Sequence, residues 1–360
     1  MTLKDLRQRI DTIDDQLVEL LDQRARAVVE AFAEKRRTGV PIHDPVREQH
    51  VLARVEQQLA AIAGHAFPAA GMRPVFREIL GACLSVDNQL SVAYLGPPGT
   101  FTHMAAQSAF GLGAHYVQAV TIPAVFDSVT RGVAECGVVP IENSTEGGVS
   151  YTLDCLVDTE LRIRGELVLD VTQCLLGQHD DLASIERVYS HPQALAQCRN
   201  WLARNLPHAQ LVVSTSTTLA AREASGDSAA AAVAARLAAE IHGLRVIREG
   251  IQDRADNSTR FVVVAHEDGP PTGQDKTTLL FSTPHEQGAL KRALEILHEE
   301  QLNMTRIESR PRPGPERWQY VFFTDVEGHR VDPNVARALD RLEHTCAFVK
   351  VLGSYARAET

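Results

Sequence analysis

Apolar residues recur at helical spacing from the start of the chain: Leu6, Ile10, Ile13, Leu17, Leu20, Leu21, Val28 and Phe32, with no Gly or Pro between Leu3 and Phe32. This predicts one long amphipathic helix, stopped by Gly39 and Pro41. A second helix is expected after Asp44-Pro45, with Pro in the favoured first turn. A third is expected from Arg73-Pro74 through Phe76, Ile79, Leu80 and Leu84. A helix of about 30 residues is about 45 Å long. Two shorter helices cannot cover its apolar stripe, so a second copy of the chain is expected to do so.

At Ser91 the period changes. VAYLG, CGVVPI, RVYSH, QLVVSTS and RFVVVA are short apolar runs, most of them followed by a helical pattern. The alternation predicts α/β units on a mostly parallel sheet. By propensity alone, the alanine-rich stretch 228–243 reads as a single helix. Gly269-Pro270-Pro271-Thr272-Gly273 is a linker. From Lys276 the order is strand, helix, strand, strand, helix, strand, a ferredoxin-like α+β module. Three domains are therefore expected, at 1–90, 91–268 and 275–360.

Composition narrows the chemistry. The chain has 360 residues and a formal charge of -10, from 36 Lys and Arg against 46 Asp and Glu. Such a balance argues against nucleic acid or an anionic membrane as partner, so an anionic ligand must be met by a few local cations or helix N-termini. Six cysteines are scattered with no C-x-x-C, which reads as reduced thiols with neither disulfide nor zinc site. The charged N-terminus and the lack of an apolar run near 18 residues place the chain in the cytoplasm. Neither G-x-G-x-x-G nor G-x-S-x-G occurs, so no dinucleotide or other cofactor and no hydrolase elbow is implied.

The first helix carries cations on its apolar side. With Ile10 as origin, Arg24 falls at about −40°, Lys35 at about −20° and Arg7 at about +60° around the axis. Any one of them could snorkel or pair with an acid such as Asp14. Three together, with Arg47 opening the next helix, favour a buried site for a small polyanion. Arg24 and Lys35 are about 16 Å apart along the axis and can meet on one ligand, whereas Arg7 lies about 25 Å from Arg24 and cannot. If Arg7 serves the same ligand, it comes from another chain. An intertwined dimer is therefore the smallest assembly expected, with a tetramer left open.

The pattern LRQRID-x-ID-x-x-L-x-x-LL-x-x-R, followed by Lys35 and then Arg47-Glu48, resembles the all-helical chorismate mutases, which rearrange chorismate to prephenate. That reaction needs neither nucleophile nor obligatory proton transfer, so orientation and charge stabilisation suffice. The resemblance implies that Arg7, Arg24 and Arg47 bind carboxylates, that Lys35 faces the ether oxygen, and that Asp44 and Glu48 contact the substrate hydroxyl region. In the third helix the chain departs from the family, with Cys83 and Asp87 at positions where the family has Ser and then Gln or Glu.

Hydroxyls cluster at strand-to-helix junctions of the middle segment: Gly99-Thr100-Phe101-Thr102, Glu142-Asn143-Ser144-Thr145, Tyr189-Ser190-His191 and Ser214-Thr215-Ser216-Thr217. Singly these are N-caps. Together they also read as a neutral cradle for a small anion. VVPIENSTEGGV, YSHPQALAQC and DNSTRF, in this order, resemble prephenate dehydratase. The resemblance implies a two-lobed fold like that of the periplasmic binding proteins, and splits the alanine-rich stretch into a strand at 229–233 and a helix. It implies that Thr259 hydrogen-bonds the departing ring hydroxyl and that Asn143, Ser190 and Gln197 orient prephenate, with Thr100 and Ser216 as weaker candidates. Glu142, protonated in a closed cleft, would be a proton reservoir, and His191 is a structural cap or a general acid.

The last segment resembles the ACT domain, with Gly288-Ala289-Leu290 and Glu308-Ser309-Arg310-Pro311 matching the phenylalanine-binding motifs of this enzyme group. The order mutase, dehydratase, ACT resembles the bifunctional enzymes of phenylalanine biosynthesis. It implies feedback inhibition by phenylalanine, which must bind the less active state more tightly.

One expectation concerns Asp87. An ionised Asp repels the developing charge on the ether oxygen, so the mutase should be slow or should speed up as pH falls. A mutase rate that is flat between about pH 5 and pH 8, within the range where a perturbed carboxyl titrates, would exclude the second option.

Overall fold

The computed structural model describes residues 2–38, 45–86, 89–254, 256–311 and 320–358. Two compact units result, Met1–Ser91 with Gln107–His115, and Val92–Ala106 with Tyr116–Thr360.

The first unit is helical, with α1 (Leu3–Thr38), α2 (Pro45–Ala60) and α3 (Ala69–Leu84). Thr2 and Asp5 cap α1 reciprocally: the Asp5 N–H donates to Thr2 Oγ1 at 3.3 Å, and the Thr2 N–H to Asp5 Oδ2 at 2.8 Å. Phe32, Leu52, Val55, Leu59 and Cys83 form the buried part of this unit. Along α1, by contrast, Leu6, Ile10, Ile13 and Leu17 stand 43–56% exposed. The third helix starts a turn before the expected Arg73-Pro74, which leaves Pro74 inside it. Gly81 lies against the backbone of Phe110, where a Cβ would sit 2.9 Å from the carbonyl oxygen. That close approach draws residues 107–115 into the helical unit.

The second unit holds three sheets. Apart from residues 107–115, which count with the helical unit, its first lobe contains β1 (Ser91–Leu95), α4 (Phe101–Phe110), β2 (His115–Ala119), α5 (Ile122–Thr130), β3 (Cys136–Asn143), β4 (Gly147–Gly148), α6 (Ser150–Asp158) and β5 (Arg162–Asp170). The second lobe contains β6 (Cys174–Gly177), β7 (Arg187–Ser190), α7 (Pro192–Gln197), α8 (Arg199–Asn205), β8 (Gln210–Val213), α9 (Thr217–Ser225), β9 (Ala230–Ala234), α10 (Arg236–His242) and β10 (Arg245–Glu249). The chain then returns as β11 (Ser258–Ala265), which inserts between β3 and β5 in the order β2-β1-β3-β11-β5.

Both lobes are mixed sheets, which corrects the mostly parallel expectation. β1 pairs with β3 in parallel, but the returning β11 runs antiparallel to both its neighbours. In the second sheet β7 is parallel to β8 and β9, while β6 is antiparallel to β9 and β10. The alanine-rich stretch divides into β9 and α10, as the dehydratase resemblance implies and propensity does not. Ala230, Ala232 and Ala234 pack against Ala220, Ala221, Ala224, Ala238 and Ala239. Small side chains here let two helices approach a central strand closely, and burial overrides the helical preference.

The C-terminal module consists of β12 (Asp275–Ser282), α11 (Ala289–Glu299), β13 (Met304–Pro311), β14 (Tyr320–Glu327), α12 (Pro333–Thr345) and β15 (Phe348–Ala356). Its antiparallel sheet has the order β13-β14-β12-β15. One face packs Leu279, Phe281 and Val326 on the helices α11 and α12. The other sends Leu280, Val321, Phe323, Leu352 and Tyr355 into the same core as Ile141, Ile163 and Val262 of the first lobe. At about 1.5–3 kcal/mol per buried side chain, five such residues are worth on the order of 10 kcal/mol as an upper bound. The module is therefore an integral layer of the second unit, not a tethered bead.

Backbone contact seals this layer. A Cβ on Gly353 of β15 would collide with the carbonyl oxygen of Ile163 in β5. Gly353→Ala should therefore cost about 1–3 kcal/mol of stability, read by urea unfolding of the full chain. An unchanged midpoint would show that the two strands do not meet this closely.

Candidate functional site

Two copies of the triplet Asn-Ser-Thr, at 143–145 and 257–259, meet where β3 ends and β11 begins. Thr259 lies opposite Asn143 in the strand register. Asn143 Nδ2 donates to Asn257 Oδ1 at 2.9 Å, to the Ser258 carbonyl at 3.2 Å and to Thr259 Oγ1 at 2.9 Å. Its Oδ1 accepts from the Thr145 N–H at 3.0 Å, the Thr145 hydroxyl at 2.6 Å and the Glu146 N–H at 3.2 Å. Because backbone donors face the oxygen, the orientation of the amide is fixed. Ser144 completes the lock: its N–H donates to the Ser258 carbonyl at 2.9 Å, and the Ser258 N–H donates to its hydroxyl at 3.0 Å.

This geometry defines what Thr259 can do. Its oxygen accepts from Asn143, so its own proton is left to donate, and a donated bond into the oxygen strengthens the hydroxyl as a donor. Thr259 is half-buried and thus reachable.

The other expected dehydratase residues divide into two groups. Thr100 donates to the Leu95 carbonyl at 3.0 Å and accepts from the His103 N–H at 3.2 Å, and Ser216 accepts from the Leu219 N–H at 3.0 Å. His191 caps α7 through Nδ1 and the Gln193 N–H at 3.4 Å. Ser190 is fully buried and donates to the Val233 carbonyl at 2.6 Å, tying β7 to β9. These four groups hold element ends. Gln197 accepts from Gln173 Nε2 at 3.1 Å and is oriented by it. Gln193 Nε2 meets Glu146 Oε1 at 2.6 Å, joining the start of α7 in the second lobe to the turn after Asn143 in the first.

Glu142 is placed differently from the expected proton reservoir. Its Oε2 lies 3.4 Å from Arg260 Nε and 3.6 Å from Arg306 Nε. Strand alternation puts it on the face opposite Asn143. Its carboxylate holds guanidiniums there instead of facing Thr259.

Sequence reasoning missed three contributors. His103 stacks on Tyr94 with ring centroids 4.6 Å apart, and its Nδ1 accepts the Gly99 N–H at 3.1 Å. Burial lowers its pKa, which favours the neutral ring this bond needs. Gln173 has a buried Oε1 without a hydrogen-bond partner among the described residues. Asn257 is buried and shares the Asn143 amide. The repeated Asn-Ser-Thr triplet was the available signal for Asn257. Nothing in the sequence pattern marks His103 or Gln173.

In the helical unit, Arg24 and Lys35 are half-buried and Arg7 and Arg47 are exposed. Arg24 Nη1 is buried with no hydrogen-bond partner among the described residues. Glu48 is half-buried and Cys83 buried, while Asp44 and Asp87 lie outside the described residues. In the C-terminal module Gly288 precedes α11 with φ 78°, a backbone that favours glycine. Ala289 is buried and Leu290 half-buried. Side chains of β13 alternate: Ser309 is exposed, while Glu308 pairs with Arg306, and Arg310 meets Asp154 at 3.2 Å and the Ser150 carbonyl at 3.1 Å. Arg310 thus holds the strand against the first lobe, while the Glu308 pair lies within β13.

Comparison with known proteins gives this arrangement a family. The prephenate dehydratase profile matches residues 92–269, the type II chorismate mutase profile residues 6–88, and the ACT domain profile residues 277–344. A bifunctional chorismate mutase/prephenate dehydratase of Aquifex aeolicus is 44% identical over 356 residues, 99% of this chain and 98% of the relative. One of Neisseria gonorrhoeae is 42% identical over 355 residues, 98% and 96%. The solved prephenate dehydratase of Arthrobacter aurescens in complex with L-Phe superposes with a TM-score of 0.68 at 38% identity, covering 74% of this chain and 90% of that one. Matched along nearly its whole length and in all three segments, the chain belongs to the bifunctional chorismate mutase/prephenate dehydratase family.

Proposed function

We propose that the chain rearranges chorismate to prephenate in its helical unit and converts prephenate to phenylpyruvate between the two lobes. Phenylalanine bound to the C-terminal module slows the second step. The cytoplasm is the compartment that fits a chain making this amino acid's precursor. The observation that carries the reading is the Asn143 amide set on the Thr259 hydroxyl at 2.9 Å.

Loss of carbon dioxide and the ring hydroxyl from prephenate is driven by aromatisation, so the enzyme's task is to help hydroxide leave. Thr259 is too weak an acid to give up its proton unaided. It acts as a hydrogen-bond donor or relay to the departing oxygen, and Asn143 keeps its proton pointing into the cleft. Gln197 orients the substrate from the second lobe. Ser190, Thr100 and Ser216 act through the strand and helix ends they secure.

For the mutase step, Arg24 Nη1, which has no hydrogen-bond partner among the described residues, is a buried donor that a substrate carboxylate would satisfy. Lys35 faces the ether oxygen, Arg47 takes a second carboxylate, Asp44 and Glu48 meet the hydroxyl region, and Cys83 and Asp87 line the third helix. The exposed stripe of α1 is covered by a second copy of the chain, and Arg7 of the partner subunit completes the site. Gly288, Ala289, Leu290 and Ser309 border phenylalanine, with Glu308 and Arg310 holding their strand.

Thr259→Ala should lower the dehydratase kcat at least about 100-fold, roughly 2.7 kcal/mol, and leave the mutase rate of the same preparation intact. Absorbance assays of both half-reactions decide this. Equal loss of both activities would mean misfolding, and full dehydratase activity would remove Thr259 from the chemistry. In the same assays, phenylalanine should slow the dehydratase step, and a rate indifferent to it would refute the regulatory assignment.

A further inference from the structure

The residues beside the catalytic pair point away from the cleft into a buried network of charges. Arg260 follows Thr259 and lies opposite Glu142 in the register. Its Nη1 is 2.7 Å from Asp325 and 3.3 Å from Glu166, two carboxylates with side chains 0% and 1% exposed. Lys276 Nζ donates to Glu166 at 2.7 Å, and Thr278 donates to the other oxygen of Asp325 at 2.8 Å. Arg306 pairs with Glu308 and reaches toward the same Glu142 oxygen as Arg260 does. Glu308 in turn occupies the space a Cβ on Gly148 would take, and Gly148 pairs with Glu142 across the β3–β4 ladder.

Two features separate this network from ordinary packing. Its members come from both sides: Glu142, Glu166 and Arg260 belong to the first lobe, while Lys276, Arg306, Glu308 and Asp325 belong to the regulatory module. Buried ion networks also do little for stability compared with apolar packing of similar volume. What they supply is fixed geometry, because a guanidinium accepts only a few arrangements of carboxylates. Burial works against the charge on Arg260, but Asp325 and Glu166 outweigh it and raise its pKa, so the charge is retained. Both guanidiniums contact Glu142 beyond 3.3 Å, and Arg260 Nη2 and Arg306 Nη1 are buried with no hydrogen-bond partner among the described residues.

We propose that Arg306 and Asp325 are positioning residues for the dehydratase reaction. Through Glu142 and Arg260 they set the placement of β3 against β11, and hence of the Asn143 amide on the Thr259 hydroxyl. The regulatory module thereby completes a catalytic pair it never touches. Displacements near 1 Å at a reacting group cost up to about 100-fold in rate, so loosening these contacts acts on kcat.

This inference rests on the dehydratase role of Asn143 and Thr259. The test uses the full chain, with the mutase rate of each preparation as control. Arg306→Gln and Asp325→Asn should each lower the dehydratase kcat about tenfold, with KM within about twofold and the mutase rate unchanged. Arg306→Lys, which keeps the charge, should recover part of the loss. Glu142→Gln combined with Arg306→Gln should be no slower than the slower single variant, because both break one link. Wild-type kcat in Arg306→Gln, or losses that multiply in the double variant, would overturn the proposal. If Asp325→Asn fails to fold, Arg306→Lys and the double-variant cycle still decide. A wild-type chain inert toward prephenate would instead overturn the dehydratase reading on which the proposal stands.

Discussion

The antiparallel contact of β3 with β11 is the constraint on which the second unit depends. Residues 114 apart in sequence, Asn143 and Asn257, share one amide proton there. That contact closes the first sheet after the chain has left to build the second lobe and come back. It also decides which side chains share a face, because strand alternation separates Asn143 and Thr259 from Glu142 and Arg260. A one-residue slip of β11 would turn Arg260 toward the Asn143 face and Thr259 toward the buried carboxylates. The bonds of Ser144 to Ser258 make that slip costly, since both partners would lose backbone hydrogen bonds.

Electrostatics follow from the same division. A chain of net charge -10 must hold small dianions without a broad positive field. The helical unit carries two half-buried cations, Arg24 and Lys35, on α1. Where β3 meets β11, neutral groups of fixed orientation stand on one face, and Arg260 and Arg306 lie among acids on the other. Free guanidiniums in the cleft would bind substrate and product alike, and uniform binding does not accelerate the chemical step. Under the proposed function, a neutral donor aimed at one departing oxygen would act on that step alone.

Much of this was legible in the sequence where period and length agree. The long first helix and the C-terminal order of strands and helices follow from spacing alone. The lobes were harder. β5 carries Gly165 and four charged residues, β6 is only four residues long, and β9 is almost pure alanine, so local propensity pointed away from strand in each. Their strand state is set by neighbours far along the chain, as β9 between β6 and β7 shows. Thr259 and Asn143 were recognisable as motif residues, but no periodicity foretold their bond. Glu142 was misread because its sequence neighbours are cleft residues, whereas its spatial neighbours are arginines on the far side of the strand. Asp325 lies inside β14, two residues before its end, and carried no signal of its own.

The glycine pair of the β3–β4 turn shows how closely site and regulatory module are fitted. Gly147 takes φ +81°, a turn conformation open to glycine at little cost. Gly148 has a different reason: the Glu308 carboxylate stands where its side chain would be. An alanine there would push the far end of Glu308, which is flexible enough to move, but only by leaving Arg306. Among the described residues, Arg306 would then keep only Glu142 of its two acid partners. Two adjacent glycines thus serve opposite faces of one hairpin, the first shaping the turn that cradles the Asn143 oxygen, the second admitting a regulatory carboxylate. The Glu308 carboxylate and the Asn143–Thr259 pair thus stand on opposite faces of β3, so a coupling between them needs no long-range conformational wire.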